Sequence, residues 1–300
     1  MDDVIIIGGS FAGLSAALQL GRARRRVTVF DTGQPRNRFS DHAHGMLGHD
    51  GKSPEQILQE GRDQLATYPS IELRTARVTG LGGKIDGFSV TTEDGEQFSA
   101  RRLILSYGIT DIMPDLPGFA QCWGKTVLHC PYCHGFEVAD RRIGLLYSTP
   151  LSLHAMGLLH DWSERLTLFA DGNDVPDMER QKLERRGVAI VDGKVESFAH
   201  EQGRLGAVHL ANGDKVEIDA LFAHPRQRLA SDIHEGLSLE MEDSPIGQVI
   251  GVDDKSQTST EGVYAAGDLA APMQSAHLAL SRGGLAGIHC HQSLAFADAN

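Results

Sequence analysis

Val4-Ile5-Ile6-Ile7 passes directly into Gly8-Gly9-Ser10-Phe11-Ala12-Gly13, and from there into a helical pattern carried by Leu14, Ala17 and Leu18. A second β-branched run, Val27-Thr28-Val29-Phe30, ends on Asp31. Strand, glycine turn, helix, strand and acid at this spacing predict a βαβ unit whose turn takes a dinucleotide. Gly8 permits the tight turn, and Gly13 lets the helix approach the strand. The helix amino terminus then faces a pyrophosphate, and Asp31 accepts hydrogen bonds from the adenosine ribose. Ser10 stands where the middle glycine of such turns belongs. It is the smallest side chain that position tolerates, and its hydroxyl can donate to phosphate.

Two later segments point to a flavin as the dinucleotide. Leu103-Ile104-Leu105-Ser106-Tyr107-Gly108 reads as a strand closing on a small residue and a glycine, where backbone can pack against a cofactor. Gly262-Val263-Tyr264-Ala265-Ala266-Gly267-Asp268 is another strand, ending in Gly-Asp. Its aspartate can accept from ribityl hydroxyls. A helix starting near Gln274-Ser275 would aim its positive end at the flavin pyrimidine.

Cys130-Pro131-Tyr132-Cys133-His134 brings sulfur chemistry into a chain with four cysteines. The same letters attach a c-type haem. That use needs an exported protein, whereas Met1-Asp2-Asp3 opens straight onto a strand without a basic leader. A zinc site would want a second pair of ligands at metal spacing, which Cys122 and Cys290 do not offer. His289 and His291 flank Cys290, but adjacent residues on a helix point apart. No metal is expected. A dithiol/disulfide couple asks only that the sulfurs approach and that one deprotonates readily. An unperturbed thiol, with a pKa of about 8.5, is only a few per cent thiolate at neutral pH, so a neighbouring base such as His134 matters for rate.

Composition excludes other classes. A formal charge of −12 argues against nucleic-acid or anionic-membrane partners, and the basic run at Arg22, Arg24, Arg25 and Arg26 sits where a helix should end. No apolar run approaches the roughly 18 residues a bilayer needs. Few cysteines, only two of them close together, make a cytoplasmic setting the expectation. The last few residues are expected to fray.

Taken together and in order, Gly8 to Gly13, Ser106 to Gly108, Cys130-Pro131-Tyr132-Cys133 and Gly262 to Asp268 resemble the low-molecular-weight thioredoxin reductase family across most of the chain. The resemblance implies an α/β fold of two Rossmann-like three-layer nucleotide-binding domains, the second inserted into the first. It implies an FAD domain from residues 1–117 and 243–300 enclosing an insert at 118–242 that carries the redox cysteines. Asp115-Leu116-Pro117-Gly118 and Glu242-Asp243-Ser244-Pro245 would be the crossings. The family works as a homodimer. By the same carry-over Asn37, Arg38, His44, Gly45 and Val78 are expected beside the flavin, Cys133 is the flavin-side cysteine, Cys130 exchanges with substrate sulfur, and His134 serves the thiols as base and acid.

Within the insert, Ile143-Gly144-Leu145-Leu146-Tyr147 predicts a strand, Thr149-Pro150 opens a helix, and Leu166-Thr167-Leu168-Phe169 is the next strand. The clustered glycines that related reductases use for NADPH are replaced by Tyr147-Ser148-Thr149-Pro150, and Pro150 lacks a donor. The basic cluster that reads the 2′-phosphate is replaced by Ala170-Asp171-Gly172. Asp171 would repel that phosphate; it would suit NAD, but the glycines are missing for either nucleotide, so NAD(P)H binding is not expected. His134, where ordinary thioredoxin reductases carry an aspartate, resembles the flavin-dependent dithiol oxidases of the gliotoxin and holomycin type. Dithiol oxidation with oxygen as acceptor is the expected activity, on a small dithiol or a thioredoxin-like protein. Two alternatives stay open: a thioredoxin reductase fed by ferredoxin or a flavoprotein, and a flavin-bound redox sensor without turnover.

Overall fold

The structure, a computed structural model, describes residues 1–297; the expected fraying of the last few residues falls largely outside them. The chain divides into two compact units, the first holding Met1–Arg38, Pro54–Thr110 and the chain from Gln227 onward, the second Phe39–Ser53 and Asp111–Arg226.

In the first unit the β-branched run becomes strand Asp2–Ile7, flanked by Val27–Asp31 on one side and Gln97–Leu105 on the other, all parallel. Ile71–Thr75 extends the sheet beyond Val27–Asp31, and Val263–Ala265 extends it beyond the carboxyl half of Gln97–Leu105. The amino half of that long strand turns to antiparallel pairing with Gly87–Thr92, which pairs in turn with Val78–Lys84. Strands buried on both faces read as unbroken apolar runs, and Val4, Ile5 and Ile6 are fully buried.

Helices Phe11–Arg22 and Ala276–Ala297 pack against each other. Their contact is main chain on main chain. A Cβ at Gly283 would collide with the backbone of Ala12, and one at Gly287 would lie 2.7 Å from the carbonyl oxygen of Ala16. Arg102, 1% exposed, ties the sheet to the second of these helices through Ser293 Oγ (3.0 Å) and pairs with Asp86 (2.9 Å).

The second unit repeats the plan. Its parallel sheet runs Ala189–Val191, Leu166–Phe169, Ile143–Leu146, Ala220–Phe222, Val127–Leu128, and an antiparallel meander of Val195–Glu201, Arg204–Leu210 and Lys215–Glu217 accompanies it. Helix Pro150–Leu159 follows the central strand, as the Thr149-Pro150 pair predicts. At the amino ends of the paired strands Ile143–Leu146 and Ala220–Phe222, Arg142 pairs with Asp219 (2.6 Å) and with Glu217.

The units part company with the expected crossings. Pro117 accepts a hydrogen bond from Phe198 N (2.8 Å), which anchors the Asp115–Gly118 segment on the meander, inside the second unit. Glu242–Pro245 lies in the first unit, where Met241–Ser244 pairs antiparallel with Gly247–Ile250 and Pro245-Ile246 is the hairpin loop. A Ser-Pro step marks a turn in a linker and in a hairpin alike, and only pairing separates them. Segment 39–53 belongs to the second unit although its neighbours on both sides belong to the first, and nothing in its composition announces that.

A helix-interior glycine replaced by alanine normally gains about 1 kcal/mol. Gly287→Ala is expected to reverse that sign and destabilise the first unit by about 1–3 kcal/mol through overpacking, read as a lower first transition in thermal unfolding. The hydrogen bonds from Arg142 hold the Asp219 carboxyl down at about 2. A depressed carboxylate stabilises above its unfolded value, near 3.9, and that contribution disappears as pH falls toward about 2. Asp219→Asn should therefore remove that part of the acid dependence, costing about 1 kcal/mol at pH 7 after solvent screening of this one-third-exposed pair, as measured by urea unfolding at pH 7 and pH 3.

Candidate active site

The residues expected at a dinucleotide converge at the carboxyl ends of the first unit's parallel strands, where open α/β sheets bind ligands. Gly8, Gly9 and Ser10 follow strand Asp2–Ile7, and Phe11, Ala12 and Gly13 form the first turn of the helix behind it. Gly8 has φ 109°, and a Cβ on it would run into the Ser106 carbonyl; a Cβ on Gly13 would run into the Gly8 carbonyl. Ser106 Oγ donates to Gly8 O (2.8 Å), which locks the two strand ends together. The Ser10 side chain makes no cap hydrogen bond to the helix, and Gly8 N donates to Phe30 O (2.8 Å) on the neighbouring strand. Asp31 closes the neighbouring strand, and Gly9 approaches it so closely that a Cβ would lie 2.8 Å from the Asp31 Cβ.

Tyr107 and Gly108 follow Ser106. The Tyr107 hydroxyl is buried with no hydrogen-bond partner among the described residues. Burial, aided by the charge of Asp232, raises its pKa, so it stays a donor. Across the sheet Gly267 and Asp268 follow strand Val263–Ala265. Asp268 Oδ2 lies 3.3 Å from Arg36 Nη1, which also donates to Gln274 Oε1 (3.0 Å), and the Gln274 amide exchanges two hydrogen bonds with Gln227 (3.0 and 2.7 Å). Ser275 Oγ accepts from Leu278 N (3.3 Å) at the start of helix Ala276–Ala297. A turn whose glycines leave no room for a Cβ, an unpartnered buried hydroxyl and an acid at two strand ends fit a dinucleotide such as FAD.

The looser expectations scatter. Asn37 and Arg38 lie in the short 3-10 turn Arg36–Phe39, with Arg38 donating to Pro35 O (2.9 Å). Val78 is buried in the first unit's core. His44 and Gly45 sit in the second unit. Arg36 and Gln227 were not singled out by sequence; Arg36 is one more arginine beside Asn37-Arg38, and nothing local marks Gln227.

In the second unit Cys130 precedes a single helical turn, Pro131–His134, with proline at its first position. Cys133 N donates to Cys130 O (3.2 Å), and the sulfurs are 2.7 Å apart. The turn thus places both sulfurs to interconvert between dithiol and disulfide with little main-chain movement. Gly135 lets the Trp162 ring close on the motif, since a Cβ there would lie 2.7 Å from it, and Tyr132 meets the same ring edge-on at 5.8 Å. Tyr132 and Phe136 are 71% and 83% exposed beside the cysteines. Burial lowers the His134 pKa, Glu137 opposes the shift and His44 adds to it. A neutral imidazole next to a thiol pair can take a proton. Cys122 and Cys290 are fully buried, and burial pushes both thiols up, Cys290 to about 12. Among the described residues no cluster could hold a metal ion and no helix is long and apolar enough to cross a membrane.

The turn after strand Ile143–Leu146 is closed by its own side chains. Ser148 N and Thr149 N both point to Ser152 Oγ (3.2 and 3.5 Å), Tyr147 N donates to Phe169 O (2.9 Å), and Ser148 Oγ donates to His224 O (3.2 Å). Asp171 accepts from Val195 N (2.9 Å) and from Lys194 Nζ (3.2 Å).

The chain as a whole is similar to known proteins. Residues 2–283 match the pyridine nucleotide-disulphide oxidoreductase family. Thioredoxin reductase sirT of Leptosphaeria maculans is 34% identical, with 95% of this chain and 92% of that protein covered. The crystal structure of an oxidoreductase from Agrobacterium tumefaciens superposes with a TM-score of 0.94 at 41% identity, covering 98% of this chain and 99% of that one. The crystal structure of HlmI does so at 0.93 and 35% identity, covering 99% and 94%. The chain belongs to the pyridine nucleotide-disulphide oxidoreductase family, and within it to the thioredoxin reductase-like enzymes.

Proposed function

We propose that this protein is an FAD-dependent dithiol oxidase whose electrons enter from sulfur and not from NADPH. The observation that carries the reading is the contrast between two equivalent turns. At Gly8–Gly13 the positions nearest the strand ends are glycines and the Phe11 side chain is buried in the core, whereas at Tyr147–Pro150 Pro150 has no N–H and the N–H groups of Ser148 and Thr149 are directed at Ser152 Oγ. A pyrophosphate at the second turn would have to compete with Ser152 Oγ for the Ser148 and Thr149 N–H groups, and the cation beside Asp171, Lys194, is already paired with that carboxylate.

FAD, when bound, supplies a two-electron acceptor that oxygen can reoxidise. In net terms a substrate dithiol and O2 give a disulfide and H2O2. A substrate thiolate would attack the Cys130–Cys133 disulfide at Cys130 and release Cys133 as thiolate. The second substrate thiol would then displace Cys130, so that the substrate leaves as a disulfide and the cysteine pair keeps the two electrons for FAD to accept, while His134 holds the proton that leaves each attacking thiol. Gly8 to Gly13, Asp31, Ser106 to Gly108, Gly267, Asp268, Gln274 and Ser275 would hold the cofactor, with Asn37, Arg38 and Val78 as further neighbours. The working form is a homodimer.

A second reading, reduction of a thioredoxin-like protein by electrons from ferredoxin or a flavoprotein, is favoured by the names of relatives such as sirT and by the exposed Tyr132 and Phe136. Anaerobic titration separates them. Dithiothreitol should bleach the flavin absorbance by two equivalents, one for the Cys130–Cys133 disulfide and one for the flavin, and NADPH and NADH should leave it unchanged. Bleaching by NADPH at a comparable rate would sink the oxidase reading. Under air Cys130→Ser and Cys133→Ser should each lower peroxide release with a dithiol at least about 100-fold, as expected for removal of a covalent step.

A further inference from the structure

We propose that His44 and Glu137 form a positioning pair for His134 and thereby set how readily a proton leaves the thiols of Cys130 and Cys133. The proposal rests on the reading of these cysteines as the redox pair. Segment 39–53 is the part of the second unit that comes from elsewhere in the chain. It is held by main-chain fit, since a Cβ at Gly124 would lie 2.7 Å from the Phe39 Cβ. Within it Gly45 N donates to Asp50 Oδ1 (2.8 Å), and the same oxygen lies 3.6 Å from His44 Nδ1. The other face of the His44 ring puts Nε2 3.5 Å from Glu137 Oε1. An imidazole only 22% exposed is thus bracketed by two carboxylates, and one of them stands three residues beyond His134 on the turn that follows it.

That arrangement has a use only if Glu137 is to be held in one place. A solvated glutamate would swing away from His134, and its charge would be screened. Anchored by His44, it stabilises the imidazolium that forms when His134 accepts a proton. In that step the Sγ–H bond breaks, an N–H bond forms on the His134 ring, and the electron pair stays on sulfur as thiolate. Burial of His134 disfavours the cation, and the fixed carboxylate offsets part of that penalty. The charged groups acting on His134 are Glu137 and His44, with Cys133 adjacent in the chain; Asp50 and His42 stand behind His44, and the helix Pro150–Leu159 packed on the motif adds only the exposed His154.

The test reads the thiols directly, in reduced holoprotein, by iodoacetamide alkylation between pH 5.5 and 9.5 followed by mass spectrometry. Cys133→Ser and Cys130→Ser backgrounds report each sulfur alone, and the buried Cys122 and Cys290 stay silent. Glu137→Gln should move the profile to higher pH and slow alkylation about five- to tenfold at pH 7, as one lost neighbouring charge does. Glu137→Asp should keep most of the parent rate. His44→Asn should shift the profile the same way by less, because losing the anchor is partly offset by losing the repulsion of His44 on the His134 cation. A Glu137→Gln profile superimposable on the parent overturns the proposal, and so does a Glu137→Asp profile as displaced as that of Glu137→Gln, which would mark a purely structural contact. Alkylation needs neither substrate nor oxygen. A shifted profile in a protein that oxidises no dithiol would end the oxidase reading and leave this one standing; an unshifted profile in an active enzyme would do the opposite.

Discussion

Main chain lying against main chain, at positions where a Cβ has no room, is the constraint on which the first unit depends. Gly8 meets the end of the neighbouring strand, Gly13 meets Gly8, and Gly283 and Gly287 meet Ala12 and Ala16 from the opposite side of the same helix. Helix Phe11–Arg22 is therefore clasped between the sheet and the carboxyl-terminal helix with nothing between them to yield. Close packing of this kind transmits small volume changes. It also fixes where the helix amino terminus ends up.

The second unit uses the same scaffold with a different turn. Both units order parallel strands around a central one and add a three-stranded antiparallel meander. The helix after the central strand starts at Phe11 in one and at Pro150 in the other. In the first, glycines leave the turn open; in the second, Ser148, Thr149 and Ser152 tie it shut with their own hydrogen bonds. A fold shared by two units thus says little about what each binds, and the turn residues say a great deal. The second unit instead carries sulfur, on a one-turn helix too short to owe stability to its own hydrogen bonds and held by Trp162 against Gly135.

Several elements were legible residue by residue. Val4–Ile7, Val27–Phe30, Leu166–Phe169 and the Thr149-Pro150 helix start are local signals, because a strand's burial and a helix's first turn are written in neighbouring letters. The turn Gly8–Gly13, Ser106 and Gly267-Asp268 were legible for the same reason. The crossings were not. A proline-marked segment at Asp115–Gly118 looks like a linker until it is seen bonded to Phe198, and Glu242–Pro245 until its strand partner is known.

The sequence by itself determined the two βαβ scaffolds, the open and the blocked turn, and the pair of cysteines three residues apart, since each depends on contacts within a few residues. Tertiary structure alone decided that segment 39–53 belongs with the redox motif, that His44 meets Glu137, and that Arg36, Asp268, Gln274 and Gln227 form one network. Those contacts join residues far apart in the chain, and their partners are chosen by how whole elements pack, a choice no local run of letters records.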